Sequence, residues 1–122
     1  MKDTAGGKGS IIFNTSVTGL RPLALPGVAG AGSTVGARHP ARQHGAASGV
    51  RVNSVAPGLV ETPIFGDMPL DALVAVAGVT QLVPRPCASE EIAKVVIFLA
   101  SEDATMVTGS TYTMDGGWAM KA

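Results

Sequence analysis

An α/β fold built on a parallel sheet is what this 122-residue sequence predicts. Three observations carry the prediction. Two short apolar runs, one opened by glycine and one stopped by proline, have the length and punctuation of strands. A later stretch of helical pattern is apolar round most of its circumference, as a helix packed on a sheet must be.

The first run, Gly9-Ser10-Ile11-Ile12-Phe13-Asn14-Thr15-Ser16, is closed by polar residues. This is the form of a strand buried on both faces of a parallel sheet, and a strand is expected over 10–15. In residues 27–49, 12 of 23 positions are Gly or Ala and the large aliphatics are Val28 and Val35. Gly costs about 1 kcal/mol relative to Ala in a helix interior and a proline such as Pro40 about 3 kcal/mol. No apolar stripe offsets either, so this segment is expected to be irregular.

Val50-Arg51-Val52-Asn53-Ser54-Val55-Ala56 alternates apolar with polar and meets Pro57-Gly58, where proline removes a ladder donor. A second strand over 50–56 follows. Ser89 before Glu90 and Glu91 offers a capping hydroxyl and two carboxylates at the positive end of a helix expected over 90–101. Ile92, Val95, Val96 and Leu99 form its stripe. Ile97, Phe98 and Ala100 widen it, so a sheet on one side and another subunit on the other are expected to cover it. Gly109 opens the β-prone residues 110–114, which Asp115-Gly116-Gly117 ends with turn chemistry.

The length suits one domain over residues 1–122. Nine Lys and Arg balance nine Asp and Glu, which argues against nucleic-acid or acidic-membrane partners. Cys87 is the single cysteine, so packing rather than an intrachain disulfide must hold the chain, and a cytoplasmic location is expected. The first residues lack the apolar core of a signal peptide. Runs without a polar residue, such as 72–79, are too short to span a bilayer.

The order of strand, Ser, Pro-Gly strand end, apolar helix and Asp-Gly-Gly strand resembles the second half of the short-chain dehydrogenase/reductase family. Gly9-Ser10-Ile11-Ile12 through Ser16-Val17-Thr18-Gly19 looks like that family's fifth strand with its catalytic serine. Residues 49–63, with Val52-Asn53-Ser54-Val55-Ala56-Pro57-Gly58 at their centre, look like the sixth strand and the loop at the nicotinamide end of the cofactor. Arg85-Pro86, Glu90-Glu91-Ile92-Ala93 and Val107-Thr108-Gly109-Ser110 to Asp115-Gly116-Gly117 look like the last helix and strand. The resemblance implies a partial doubly wound, Rossmann-like sheet holding the family's last three strands and last helix. It implies NAD or NADP as cofactor, hydride transfer between alcohols and ketones, Ser16 as catalytic residue, and Pro57, Gly58, Val60 and Thr62 as cofactor-binding residues.

Two departures set the expected activity. The family's glycine-rich phosphate loop has no counterpart: Gly30-Ala31-Gly32-Ser33-Thr34-Val35-Gly36 has the wrong spacing and follows Pro26 rather than a strand. The chain therefore reads as starting in mid-domain. The family also places a Tyr about a dozen residues beyond its Ser and a Lys four further on, where this chain has Ala29, Gly30 and Ala31, then Ser33, Thr34 and Val35. Tyr112 is the only tyrosine, and no Y-x-x-x-K pair occurs. Residues before Gly49 look scrambled, as a shifted reading frame would leave them.

Without the resemblance, Ser16 reads as a strand-end serine that caps a turn and Pro57-Gly58 as a turn ending a strand. His39 and His44 have no nearby thiol or carboxylate, so no metal site is expected, and Cys87 lacks a histidine at motif spacing. The expectation is a truncated, inactive family oxidoreductase. The alternative is a non-catalytic module that forms a homo-oligomer or pairs with an intact family subunit through the last helix and strand. An active enzyme with His39 or water in place of the tyrosine ranks last.

Overall fold

A computed structural model describes residues 8–20 and 49–121. Three strands run parallel in the order β1 (Gly9–Asn14), β2 (Val50–Pro57), β3 (Thr111–Met114). The first pair is in register from Gly9 opposite Val50 to Asn14 opposite Val55. The second runs from Ser54 opposite Thr111 to Pro57 opposite Met114. Two helices, α1 (Leu70–Thr80) and α2 (Ser89–Ala100), lie between β2 and β3 in the chain.

The central strand explains most of the core. Val52, Val55 and Ala56 are fully buried, and so are Asn53 and, nearly, Ser54, so polar alternation here does not mark a solvent face. Asn53 can be buried because its carboxamide is satisfied: Nδ2 donates to the Val107 carbonyl at 2.8 Å and Oδ1 accepts from the Ser110 N–H at 3.1 Å. Arg51 reaches past the sheet. Its guanidinium donates to the carbonyls of Leu99 (2.8 Å), Val107 (3.3 Å) and Ser101 (3.1 Å), supplying the cation that the last turn of α2 lacks in its own sequence.

Several expectations need correction. The first strand spans Gly9–Asn14 rather than 10–15, although Thr15 still donates its N–H to the Val55 carbonyl at 2.9 Å. It is not buried on both faces: it stands at one end of the strand order, Asn14 is exposed and Phe13 is 39% exposed. Ser89 is the first helical residue of α2 and not its cap. The start is instead held by Glu91, whose carboxylate accepts from the Ala88 N–H at 2.9 Å. Within the single chain one side of α2 is covered, where Leu99 is buried, and the side expected to meet another subunit carries Ile97 at 67% exposure.

Helix α1 is an addition to the one helix expected. It buries only Leu73 and Ala77, one turn apart, against Leu59, with Phe65 and Val76 at the margin. Lys121 closes it from a distance, donating Nζ to the carbonyls of Gly78 and Gln81 at 2.9 Å each. The irregular segment expected at 27–49 lies outside the described residues except for Gly49, which takes a left-handed φ of 72° just before β2. Among the described residues, no helix is long and apolar enough to cross a membrane.

Candidate functional site

The carboxyl edge of a parallel sheet is where an open α/β fold places a ligand crevice, because the strands end there and the loops diverge. Ser16 stands at that edge, two residues after β1, and the loop from Pro57 to Thr62 leaves the same edge of β2. Thr15 ties the two strand ends together, its hydroxyl donating to the Val55 carbonyl at 2.7 Å.

Ser16 is engaged locally. Its Oγ accepts from the Thr18 N–H at 3.2 Å and from the Thr18 hydroxyl at 2.9 Å, which caps the single 3-10 turn Val17–Gly19. Among the described residues no hydrogen bond links Ser16 to Pro57, Gly58, Val60 or Thr62. Tyr112 lies within β3, opposite Val55.

The loop is pinned on both sides. Gly58 donates its N–H to the Met114 carbonyl at 3.0 Å, and Leu59 donates to Gln81 Oε1 at 3.1 Å. Cys87 then pairs in parallel with Val60: Cys87 N–H donates to the Leu59 carbonyl at 2.8 Å, and Glu61 N–H donates to the Cys87 carbonyl at 2.9 Å. In such a bridge the middle residue faces the other way. Among the described residues the N–H of Val60 accordingly has no acceptor, while its carbonyl accepts from the Thr62 hydroxyl at 3.4 Å. Thr62 begins the 3-10 turn Pro63–Phe65, beside a 350 Å³ hollow lined by Glu61, Thr62, Pro63, Phe65, Met68 and Leu73. A larger hollow of 680 Å³ opens among Ser10, Arg51, Ser101 and Thr108 at the amino edge of the sheet, away from these residues.

Close packing sets the loop's shape. A Cβ on Gly58 would stand 2.7 Å from Asp115 Cα and 3.0 Å from Gln81 Oε1, so only glycine fits where the loop crosses the Asp115-Gly116 turn. Asp115 is buried and its carboxylate accepts from the N–H groups of Gly117 (3.0 Å) and Ala119 (2.8 Å). Gly116 returns the contact, its carbonyl accepting from the N–H groups of Leu82 and Val83 at 2.8 Å each. Neither Gln81 nor Asp115 stood out in the sequence as more than a polar residue and a turn former.

Electrostatics around Cys87 disfavour nucleophilic chemistry. Burial, and secondarily the Glu91 carboxylate, push the thiol up to about 11, so it stays protonated near neutrality. Glu91 is held down to about 2, chiefly by its bidentate pair with Arg85 (2.8 Å to each nitrogen) and then by the Ala88 N–H. No cluster of three metal-ligating side chains occurs among the described residues.

A family model described as Enoyl-(Acyl carrier protein) reductase matches residues 1–119. Cyclohexanol dehydrogenase of Acinetobacter sp. (strain SE19) is 36% identical over 119 residues, covering 96% of this chain and 46% of the relative. Glucose 1-dehydrogenase of Gluconobacter oxydans (strain 621H) is 40% identical over 119 residues, covering 92% and 43%. The L-sorbose reductase of Gluconobacter frateurii, solved with NADPH and L-sorbose, superposes with a TM-score of 0.78 at 30% identity, covering 97% of this chain and 50% of that one. The chain thus spans half or less of the length of these proteins. The three parallel strands and two helices of the described residues are part of the Rossmann-like α/β sheet that such structures share, and the chain belongs to the short-chain dehydrogenase/reductase family.

Proposed function

We propose that the chain carries the nicotinamide-side wall of an NAD(P) site of an alcohol or ketone oxidoreductase, within a single domain over 1–122, and that in this form it does not turn over. The carrying observation is the alternation along the loop. The N–H groups of Gly58, Leu59 and Glu61 are consumed within the protein, while that of Val60, with Thr62 beside it, has no acceptor among the described residues and suits a ligand. A backbone donor with a hydroxyl two residues on suits the carboxamide of a nicotinamide, so the residues present fit the group. NAD or NADP, when bound, supplies or takes up the hydride. Pro57 and Gly58 fix where the wall begins, Val60 and Thr62 orient the carboxamide, and Ser16 at the neighbouring strand end orients a substrate oxygen.

A proton must reach the developing alkoxide as hydride arrives, and a positioned acid typically contributes 10²–10⁴-fold. The family meets this need with Tyr and Lys. This sequence has no Y-x-x-x-K pair, and Tyr112 is committed to β3. Ser16, whose ordinary hydroxyl is a poor acid, serves for orientation alone.

The purified chain is expected to show no oxidation of cyclohexanol or glucose, and no reduction of cyclohexanone, with either nicotinamide cofactor. Turnover that disappears in Ser16→Ala would overturn this reading. A second reading, association through α2 and β3 with a copy of itself or an intact family subunit, is favoured by the exposure of Ile97 and Phe98.

A further inference from the structure

We propose that Gln81 is the positioning residue of the Pro57–Thr62 loop: its buried carboxamide fixes where the loop leaves the sheet and thereby which backbone groups face the ligand. The inference deepens the reading of that loop as a cofactor wall and rests on it.

Gln81 sits just past α1 and is 3% exposed. A glutamine that deep must use its amide, and its partners lie in two separate stretches of backbone. Oε1 accepts from the Leu59 N–H at 3.1 Å, and Nε2 donates to the carbonyls of Arg85 at 2.8 Å and Val83 at 3.2 Å. The side chain therefore joins the loop after β2 to the 83–87 strip that pairs with it. It also fills the space over two glycines, Oε1 lying 3.0 Å from a Cβ placed on Gly58 and Nε2 3.0 Å from one placed on Gly116. Its own backbone is clamped, N–H donating to the Ala77 carbonyl at 2.8 Å and carbonyl accepting from Lys121 Nζ at 2.9 Å.

The consequence is positional. With Leu59 N–H turned inward to Gln81 and Glu61 N–H turned inward to Cys87, Val60 N–H between them faces out. If Leu59 loses its acceptor, nothing holds that alternation at its first step. No other side chain donates to or accepts from Leu59 among the described residues.

The test is hydrogen–deuterium exchange of the full chain, resolved to single amides, in Gln81→Met and Gln81→Glu. Methionine keeps the volume and removes the amide. Stranding a buried N–H is expected to speed exchange at Leu59 by about tenfold to a hundredfold, with the β2 amides of Val52 and Val55 unchanged. The glutamate carboxylate still accepts from Leu59 but cannot donate, so protection at Leu59 is expected to be restored while the 83–87 strip loosens. Unchanged exchange at Leu59 in Gln81→Met, or equal acceleration across β2, would overturn the proposal, the latter by showing ordinary core packing. An NADPH titration of the same proteins forms the second arm. Binding by wild type that weakens about tenfold in Gln81→Met and recovers in Gln81→Glu extends the positioning role to the cofactor. Absence of binding in wild type removes the cofactor reading and leaves the exchange result to decide the role of Gln81 by itself.

Discussion

Glycine at position 58 is a residue whose identity follows from one distance. With 2.7 Å between its would-be Cβ and the Asp115 backbone, Gly58→Ala must displace the turn or the loop, at a cost of roughly 1–3 kcal/mol. Gly78 is the natural control. It lies inside α1 with nothing within 4 Å of a Cβ, so Gly78→Ala is expected to stabilise by up to about 1 kcal/mol. Urea titrations of the two variants should move in opposite directions. Sequence could nominate Gly58 through the Pro-Gly pair, but it could not show that the neighbour is Asp115, 57 positions along. Gln81 was hidden for the same reason: its partner Leu59 lies 22 residues away, and no local pattern records a contact across that span.

At the scale of elements, what was legible depended on punctuation. Gly9, Pro57 and Asp115-Gly116-Gly117 bracket the strands, and Glu90-Glu91 announces α2, so each was placed to within a residue or so. Helix α1 was not legible, because Pro69 precedes it in place of a capping side chain, Gly78 interrupts it and only Leu73 and Ala77 are buried. The cofactor wall proposed for this loop rests on family resemblance rather than on any side-chain pattern, since its chemistry would be backbone chemistry. The start of α2 gives a pH prediction. Glu91 titrates near 2 in the folded chain against about 4.5 for an ordinary glutamate, so the native state binds fewer protons than the unfolded one between those values. Its contribution is full above about 4.5 and is lost as pH falls toward 2. Glu91→Gln should flatten that part of an acid-unfolding curve, and Arg85→Gln should shift it toward higher pH.

For the whole molecule, the unanswered surface is α2. Ile97 and Phe98 project from a helix whose Leu99 is locked into the sheet, and the proposed association with another chain would cover them. Sedimentation at micromolar concentration is expected to show association of the wild-type chain that Phe98→Glu weakens. A wild-type monomer would count against the subunit reading. The strands themselves carry a consequence for how such a chain reaches its native state. Thr15 meets Val55 across 40 residues and Asn53 meets Val107 across 54, so no two neighbouring strands are joined by a short turn. Each pairing must close a long loop before any ladder bond rewards it, and β2 gains its burial only when both flanks have arrived. The sheet therefore assembles late and nearly all at once, with α1 and α2 as the local structure available beforehand. During that interval the apolar strand Val50–Pro57 is the segment most exposed to capture by another copy.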